Sequence, residues 1–208
     1  MGVRSSTGSP ARWLAGLALI GAMSWVAFEQ HDRIPVLTYV NLGIHEAGHM
    51  LTYSWSDVRT AMMGSIAQVA IPLLLAVYFF VRRGDWVGAA VCLVWASTSA
   101  IEVAAYVADA PKQKLELIGD THDWAFILGP EGYDAMDRSG PLADTIRDAA
   151  AFGLIAGFVL CLTAPLRGVN RRAQDDATAA TSRPTPASSA WPASATSGSA
   201  PRSASSPK

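Results

Sequence analysis

Residues 62–81 read MMGSIAQVAIPLLLAVYFFV, and after Arg82-Arg83-Gly84-Asp85 residues 86–108 read WVGAAVCLVWASTSAIEVAAYVA. Crossing ~30 Å of hydrocarbon at ~1.5 Å per residue takes about 20 mainly apolar residues, and both runs reach that length. Three more apolar segments flank them, at 12–28, 36–55 and 149–166. Segments 12–28 and 149–166 lie near the lower length limit but run unbroken. Trp13, Trp25, Trp55 and Trp86 stand at segment ends, where an aromatic belt places them. Composition agrees: 50% of the 208 residues are hydrophobic and only 16% are charged, against about a quarter charged in a water-soluble domain. The expected fold is all-α, a polytopic integral membrane helical bundle with four to five apolar segments.

Residues 1–11 form a short N-terminal tail, and 12–172 form the helical membrane domain. Arg4 and Arg12 before segment 12–28 also suit a cleaved signal peptide, but no clear small-x-small cleavage site precedes Phe28 and further membrane segments follow. Beyond Arg171-Arg172, residues 173–208 are almost all Ala, Ser, Thr and Pro. Such a stretch buries too little apolar surface to offset chain entropy, so a disordered tail is expected.

The formal net charge of −1 supplies no field that attracts nucleic acid. Cys92 and Cys161 both lie inside apolar runs, which excludes a disulfide scaffold and a cysteine-based zinc site. GxGxxG, Walker A and GxSxG motifs are absent, so nucleotide binding and serine hydrolysis lose their signals.

The chemistry lies in segment 36–55, VLTYVNLGIHEAGHMLTYSW, where His45-Glu46-Ala47-Gly48-His49 is an HExxH box. On a helix, positions i and i+4 share a face, so two imidazoles can reach one Zn2+ while the helix stays intact. Glu46 is then the general base, and later the general acid, for a water that the metal brings towards a neutral pKa. Asn41, His45, Gly48, His49 and Thr52 form one helical stripe. Gly48 leaves room for another helix or a substrate strand. The alternative is a polar helix face satisfied by neighbouring helices, although a buried charge such as Glu46 is then costly.

A catalytic zinc takes three protein ligands and keeps one open position. His122 is the first candidate for the third ligand, ahead of Asp123 or Asp120 in LIGDTHDWAFIL. Glu102, within segment 86–108, or Asp109, two turns further on, come next. A carboxylate outside the metal shell can instead orient a ligand imidazole through its other ring nitrogen. Glu102 is equally explained by a hydrogen bond to Gln68 or to a Ser/Thr on a neighbouring helix, and GDTHDW by a solvated turn and capped short helix. Ser65, Gln68 and Pro72 suit ordinary helix packing better than a cleft. Residues 109–148 hold nine carboxylates and four basic residues and read as solvated loop and interfacial helix.

Basic residues favour the cytoplasmic side. Arg4 and Arg12 place the N-terminus there, with Arg82-Arg83 and Arg167, Arg171 and Arg172 on the same side. These assignments agree only if segment 36–55 does not cross fully. With four full crossings, His45, His49 and GDTHDW all end on the outer side.

NLGIHEAGHM, GSIAQVAIPLLL, IEVAAYVADA and GDTHDW, in that order, resemble a family of small uncharacterised bacterial integral membrane proteins that carry an HEAGH box and a downstream HDW segment. The resemblance covers about residues 36–130 and implies residence in the bacterial inner membrane. More distantly, the HEAGH helix is similar to intramembrane zinc metalloproteases of the site-two type. Those place their aspartate in an N/D-x-x-P-x-x-x-x-D-G-like or L-D-G-like motif, which this chain lacks. The expected function is a membrane-embedded zinc metallopeptidase-like hydrolase acting on a membrane-protein or peptide substrate near the outer boundary of the bilayer. Two other classes stand beside it: a non-catalytic metal-binding or transport-accessory membrane protein, and a membrane scaffold held together by its polar residues.

Overall fold

The structure, a computed structural model, describes residues 10–29, 35–115 and 121–181. Its regular elements there are all helical: α1 (Pro10–Glu29), α2 (Pro35–Leu51), α3 (Asp57–Val81), α4 (Trp86–Asp109), the short α5 (Asp123–Leu128), a 3-10 turn (Met136–Arg138) and α6 (Ser139–Thr181).

The α3–α4 hairpin organises the rest. Gly84 adopts φ 58°, the left-handed region that glycine enters without a Cβ penalty, and the chain reverses there. Asp85 then caps α4 by accepting the Gly88 N–H at 3.0 Å, which satisfies one orphan donor of the first turn. Arg12 forms an ion pair with the same Asp85. The start of α1 therefore lies at the bundle end where α3 finishes and α4 begins.

α4 is the central helix. Of its most apolar window, 67% is buried, against 28% for α3 and 22% for residues 136–166. Val94 and Ile101 of α4 share a core with Ile20 and Met23 of α1 and with Leu154 and Cys161 of α6. The face that α3 turns inward consists of Ala61, Gly64, Ser65, Gln68, Pro72 and Ala76, small or polar residues at helical spacing. Its other face exposes Ile66, Leu73, Leu74, Val77, Tyr78 and Val81. A continuous apolar exterior over a small-residue interior is the packing arrangement of membrane helices, in which small side chains let backbones approach. Pro72 belongs to this packed face, as expected.

Three helical stretches among the described residues are long and apolar enough to cross a membrane: Asp57–Val81, Trp86–Asp109 and Met136–Leu166. That is fewer than the four to five apolar segments read from sequence. α2 has 17 residues, about 25 Å of helix, short of the hydrocarbon thickness. It stops because the chain turns at Thr52–Trp55, where the Trp55 N–H donates to the Thr52 carbonyl at 2.8 Å. α1 has 20 residues and carries Arg12 and Glu29 towards its ends.

α6 starts ten residues before the apolar segment at 149 and runs to Thr181, into the stretch expected to be a disordered tail. Residues 173–181 are rich in alanine, the strongest helix former. The rest of that expected tail, 182–208, lies outside the described residues. Contacts divide the chain into one unit through Arg171 and a second from Arg172.

Candidate metal centre

α2 packs along α3 because Gly48 permits it: a Cβ there would stand 2.4 Å from the Met63 carbonyl oxygen. The turn after α2 is tied back to its neighbours. Thr52 Oγ1 donates to the Gly48 carbonyl at 2.8 Å, and Thr60 Oγ1 donates to the Thr52 carbonyl at 2.7 Å. The i, i+4 pair His45 and His49 therefore faces the small-residue side of α3, with ring centroids 4.7 Å apart.

Asp123 is brought to this pair by α5. Its backbone N–H donates to Tyr106 Oη of α4 at 2.9 Å. The next residue, Trp124, donates Nε1–H to Ser65 Oγ of α3 at 3.1 Å. Asp123 Oδ2 then lies 2.9 Å from His45 Nε2 and 3.3 Å from His49 Nε2. Among the described residues, His45, His49 and Asp123 form the group that can hold a metal ion. The side chains are 11%, 22% and 18% exposed, enough for water or a small ligand to enter.

Each imidazole meets an oxygen on its far side. His45 Nδ1 is 3.3 Å from Gln68 Oε1, and His49 Nδ1 is 2.8 Å from the Thr60 carbonyl. Gly64 of α3 passes beside the facing nitrogens. A Cβ at Gly64 would stand 2.5 Å from His45 Nε2 and 2.6 Å from His49 Nε2. The glycine keeps open the space onto which the histidines converge.

The other expected site residues are placed differently. His122, the first candidate for third ligand, lies outside the trio. It is the N-cap of α5 and accepts the Ala125 N–H on Nδ1 at 3.2 Å. Its Nε2 faces Asp109 Oδ2 at 3.6 Å, and its ring stacks on Tyr106 with centroids 4.3 Å apart. Burial lowers its pKa from the ordinary imidazole value against the raising effect of the Asp109 and Asp123 carboxylates, which suits a neutral ring accepting at Nδ1. Asp109 in turn accepts the Lys114 and Leu115 N–H groups, both at 2.9 Å, and so closes the loop after α4. Asp120 lies outside the described residues. Glu102 accepts from Asn41, Gln68 and Thr38, as its hydrogen-bonded reading required, and touches the centre through Gln68. Glu46 is exposed, 100° around α2 from His45.

Sequence reasoning missed Tyr106 and the Thr60 carbonyl. Tyr106 falls one helical turn after Glu102, a spacing that could have marked it as a neighbour of the polar cluster. A backbone carbonyl carries no sequence signal.

The centre lies towards one end of the bundle. From Asp85 to Glu102 is roughly 17 residues, about 26 Å along α4 at ~1.5 Å per residue. His45, His49 and Asp123 thus lie far from the Arg12–Asp85 end. Comparison of the chain with protein-family models, curated proteins and solved structures finds no match.

Proposed function

We propose that His45, His49 and Asp123 hold a zinc ion and that the chain is a membrane-embedded, metallopeptidase-like hydrolase. The convergence of three lone pairs carries this reading. The Thr60 carbonyl and Gln68 Oε1 can only accept, so Nδ1 of each histidine carries a proton, and in the neutral ring Nε2 presents a lone pair. Both lone pairs meet a carboxylate oxygen at 2.9 and 3.3 Å. At these separations either a proton on Nε2 or a metal ion lies between the atoms, and one metal ion serves all three where protons would need both rings charged. In a tetrahedron with ~2.0–2.1 Å bonds to nitrogen and oxygen, ligands stand about 3.3 Å apart, which the His49–Asp123 separation matches and the His45–Asp123 separation, at 2.9 Å, falls short of. Three protein donors leave a fourth position free, as in catalytic rather than closed structural sites.

Bound there, zinc supplies a Lewis acid and a nucleophile available near neutral pH. The chain's own part is to hold the ligand rings by their Nδ1 partners, to fix Asp123 through Tyr106 and Trp124, and to offer Glu46 as proton acceptor. A substrate at this depth is a membrane-protein or peptide segment. The reading rests on chemistry that the HExxH box and the trio share. The distant similarity of the HEAGH helix to site-two-type proteases is limited to the HExxH box, since their aspartate motif is absent here.

One observation favours the second reading, a non-catalytic metal-binding or transport-accessory protein: Glu46 is exposed rather than packed against the ligands. The test is a comparison of new protein termini in membranes of cells carrying the wild-type chain or Glu46→Gln. The hydrolase reading expects termini that require Glu46, and identical sets select the second reading.

We further propose the inner membrane as location, with α1, α3, α4 and α6 crossing and α2 entering only part of the way. Arg12 and the Arg82-Arg83 turn share one end of the bundle, and the positive-inside rule makes that end cytoplasmic. A reporter fused after Lys114 is expected to read extracytoplasmic, and one after Arg172 cytoplasmic. A cytoplasmic reading at 114 means that α2 crosses fully.

A further inference from the structure

Behind the candidate centre runs a chain of buried and half-buried polar groups whose directions are set by what each can donate or accept. Trp95 Nε1 can only donate, and it donates to Asn41 Oδ1 at 2.9 Å. Ser99 Oγ donates to the same oxygen at 3.2 Å. With its oxygen so engaged, Asn41 turns Nδ2 to Glu102 Oε2, at 2.6 Å. A carboxylate only accepts, so the side of Gln68 that faces Glu102 Oε2 at 3.0 Å is its amide nitrogen. Gln68 Oε1 is thereby turned to His45 Nδ1. Thr38 Oγ1 donates to the second carboxylate oxygen at 3.1 Å, so α2 and α3 both hold the α4 residue Glu102 in place.

We propose that Glu102 is a positioning residue for the metal centre, acting through Gln68 to fix the His45 tautomer whose Nε2 lone pair faces Asp123. It was a candidate ligand by sequence; here it orders the amide that orders the ligand. Neutral imidazole otherwise exchanges its proton between the two nitrogens, and the form protonated on Nε2 cannot ligate at that atom. Outer partners of ligand imidazoles commonly set metal affinity by about 10–100-fold. His49 needs no such device, since its Nδ1 meets a backbone carbonyl that cannot rotate. The proposal rests on the metal reading only for its consequence; the tautomer itself is a property of the metal-free chain.

Glu102→Met tests it with a side chain of similar length. Glu102→Gln would not, because Asn41 Nδ2 and Gln68 Nε2 donate to the same Glu102 Oε2 and an amide oxygen can replace it there. With methionine at 102 no acceptor holds the Gln68 nitrogen, so Gln68 is free to flip and present that nitrogen to His45. The full-length chain, labelled with 15N histidine and purified without metal, is measured by NMR at a pH above the ordinary imidazole pKa of ~6.5. Wild type is expected to show His45 and His49 both protonated on Nδ1. In Glu102→Met, His49 keeps that signature, which also reports an intact fold, and His45 becomes a mixture of the two tautomers. Zinc affinity, measured by competition with a chelator, is expected to fall about 10–100-fold. Adding Gln68→Glu to Glu102→Met restores an obligate acceptor at position 68, and is expected to recover both the signature and the affinity. A His45 tautomer unchanged in Glu102→Met overturns the proposal. Wild type without zinc, but with the two Nδ1-protonated rings, overturns the metal reading and leaves the positioning relay standing.

Discussion

Glu46→Gln is expected to leave zinc bound and to remove turnover by about 10²–10⁴-fold, the usual contribution of a general acid–base group. In free energy that is roughly 3–5 kcal/mol of barrier. The substitution preserves size and most hydrogen bonding and removes only the basic carboxylate. The ligand shell survives because Glu46 lies 100° around α2 from His45 and is not one of the three converging side chains. The readout is metal content together with the membrane termini attributable to the chain. Loss of metal makes Glu46 a ligand or a structural charge partner. Retained metal with unchanged termini moves the protein to the binding or accessory class.

Gly64→Ala is expected to abolish stoichiometric metal binding without touching any ligand. A methyl group at 64 would stand 2.5 and 2.6 Å from the two Nε2 atoms, well inside van der Waals contact. Both rings must shift from the positions that bring their Nε2 atoms to Asp123, which disturbs the Nδ1 contacts to Gln68 and Thr60 as well. Alanine favours a helix over glycine by up to ~1 kcal/mol, so the loss comes from the centre and not from α3. Gly43→Ala is the control, since a Cβ there meets nothing within 4 Å. Metal content and melting temperature of the two variants, measured side by side, check this. Full metal in Gly64→Ala means that the ion sits elsewhere.

Much of the fold was legible because bilayer physics writes itself into composition. Segments 62–81 and 86–108 each became one helix, α3 and α4, at nearly those bounds. The length of α2 was not legible. Its sequence stays apolar through Trp55, and the turn that ends it is closed by backbone hydrogen bonds at Thr52–Trp55. The start of α6 was hidden for the opposite reason: Ser139–Asp148 is too polar to read as part of an apolar segment, yet it continues the same helix. Within the site, the His45–His49 pair followed from helical spacing alone. The choice between His122 and Asp123 did not, because it turns on which of two adjacent side chains points inward. That is decided by α5: capping its first turn claims His122 Nδ1, and Tyr106 Oη takes the Asp123 N–H. Glu102 showed itself as a carboxylate deep in apolar sequence that needs donors. Which of Gln68, Asn41 and Thr38 supplies them depends on the crossing of three helices.

The most direct test of the account is the zinc content of the purified full-length chain beside four variants: His45→Ala, His49→Ala, Asp123→Ala and His122→Ala. About one zinc per chain is expected in wild type and in His122→Ala, and none in the other three. The wild-type ion should also be lost below about pH 6, because imidazole ligands must be neutral to bind. Zinc retained in His45→Ala, His49→Ala and Asp123→Ala, or lost in His122→Ala with the fold intact, would contradict it.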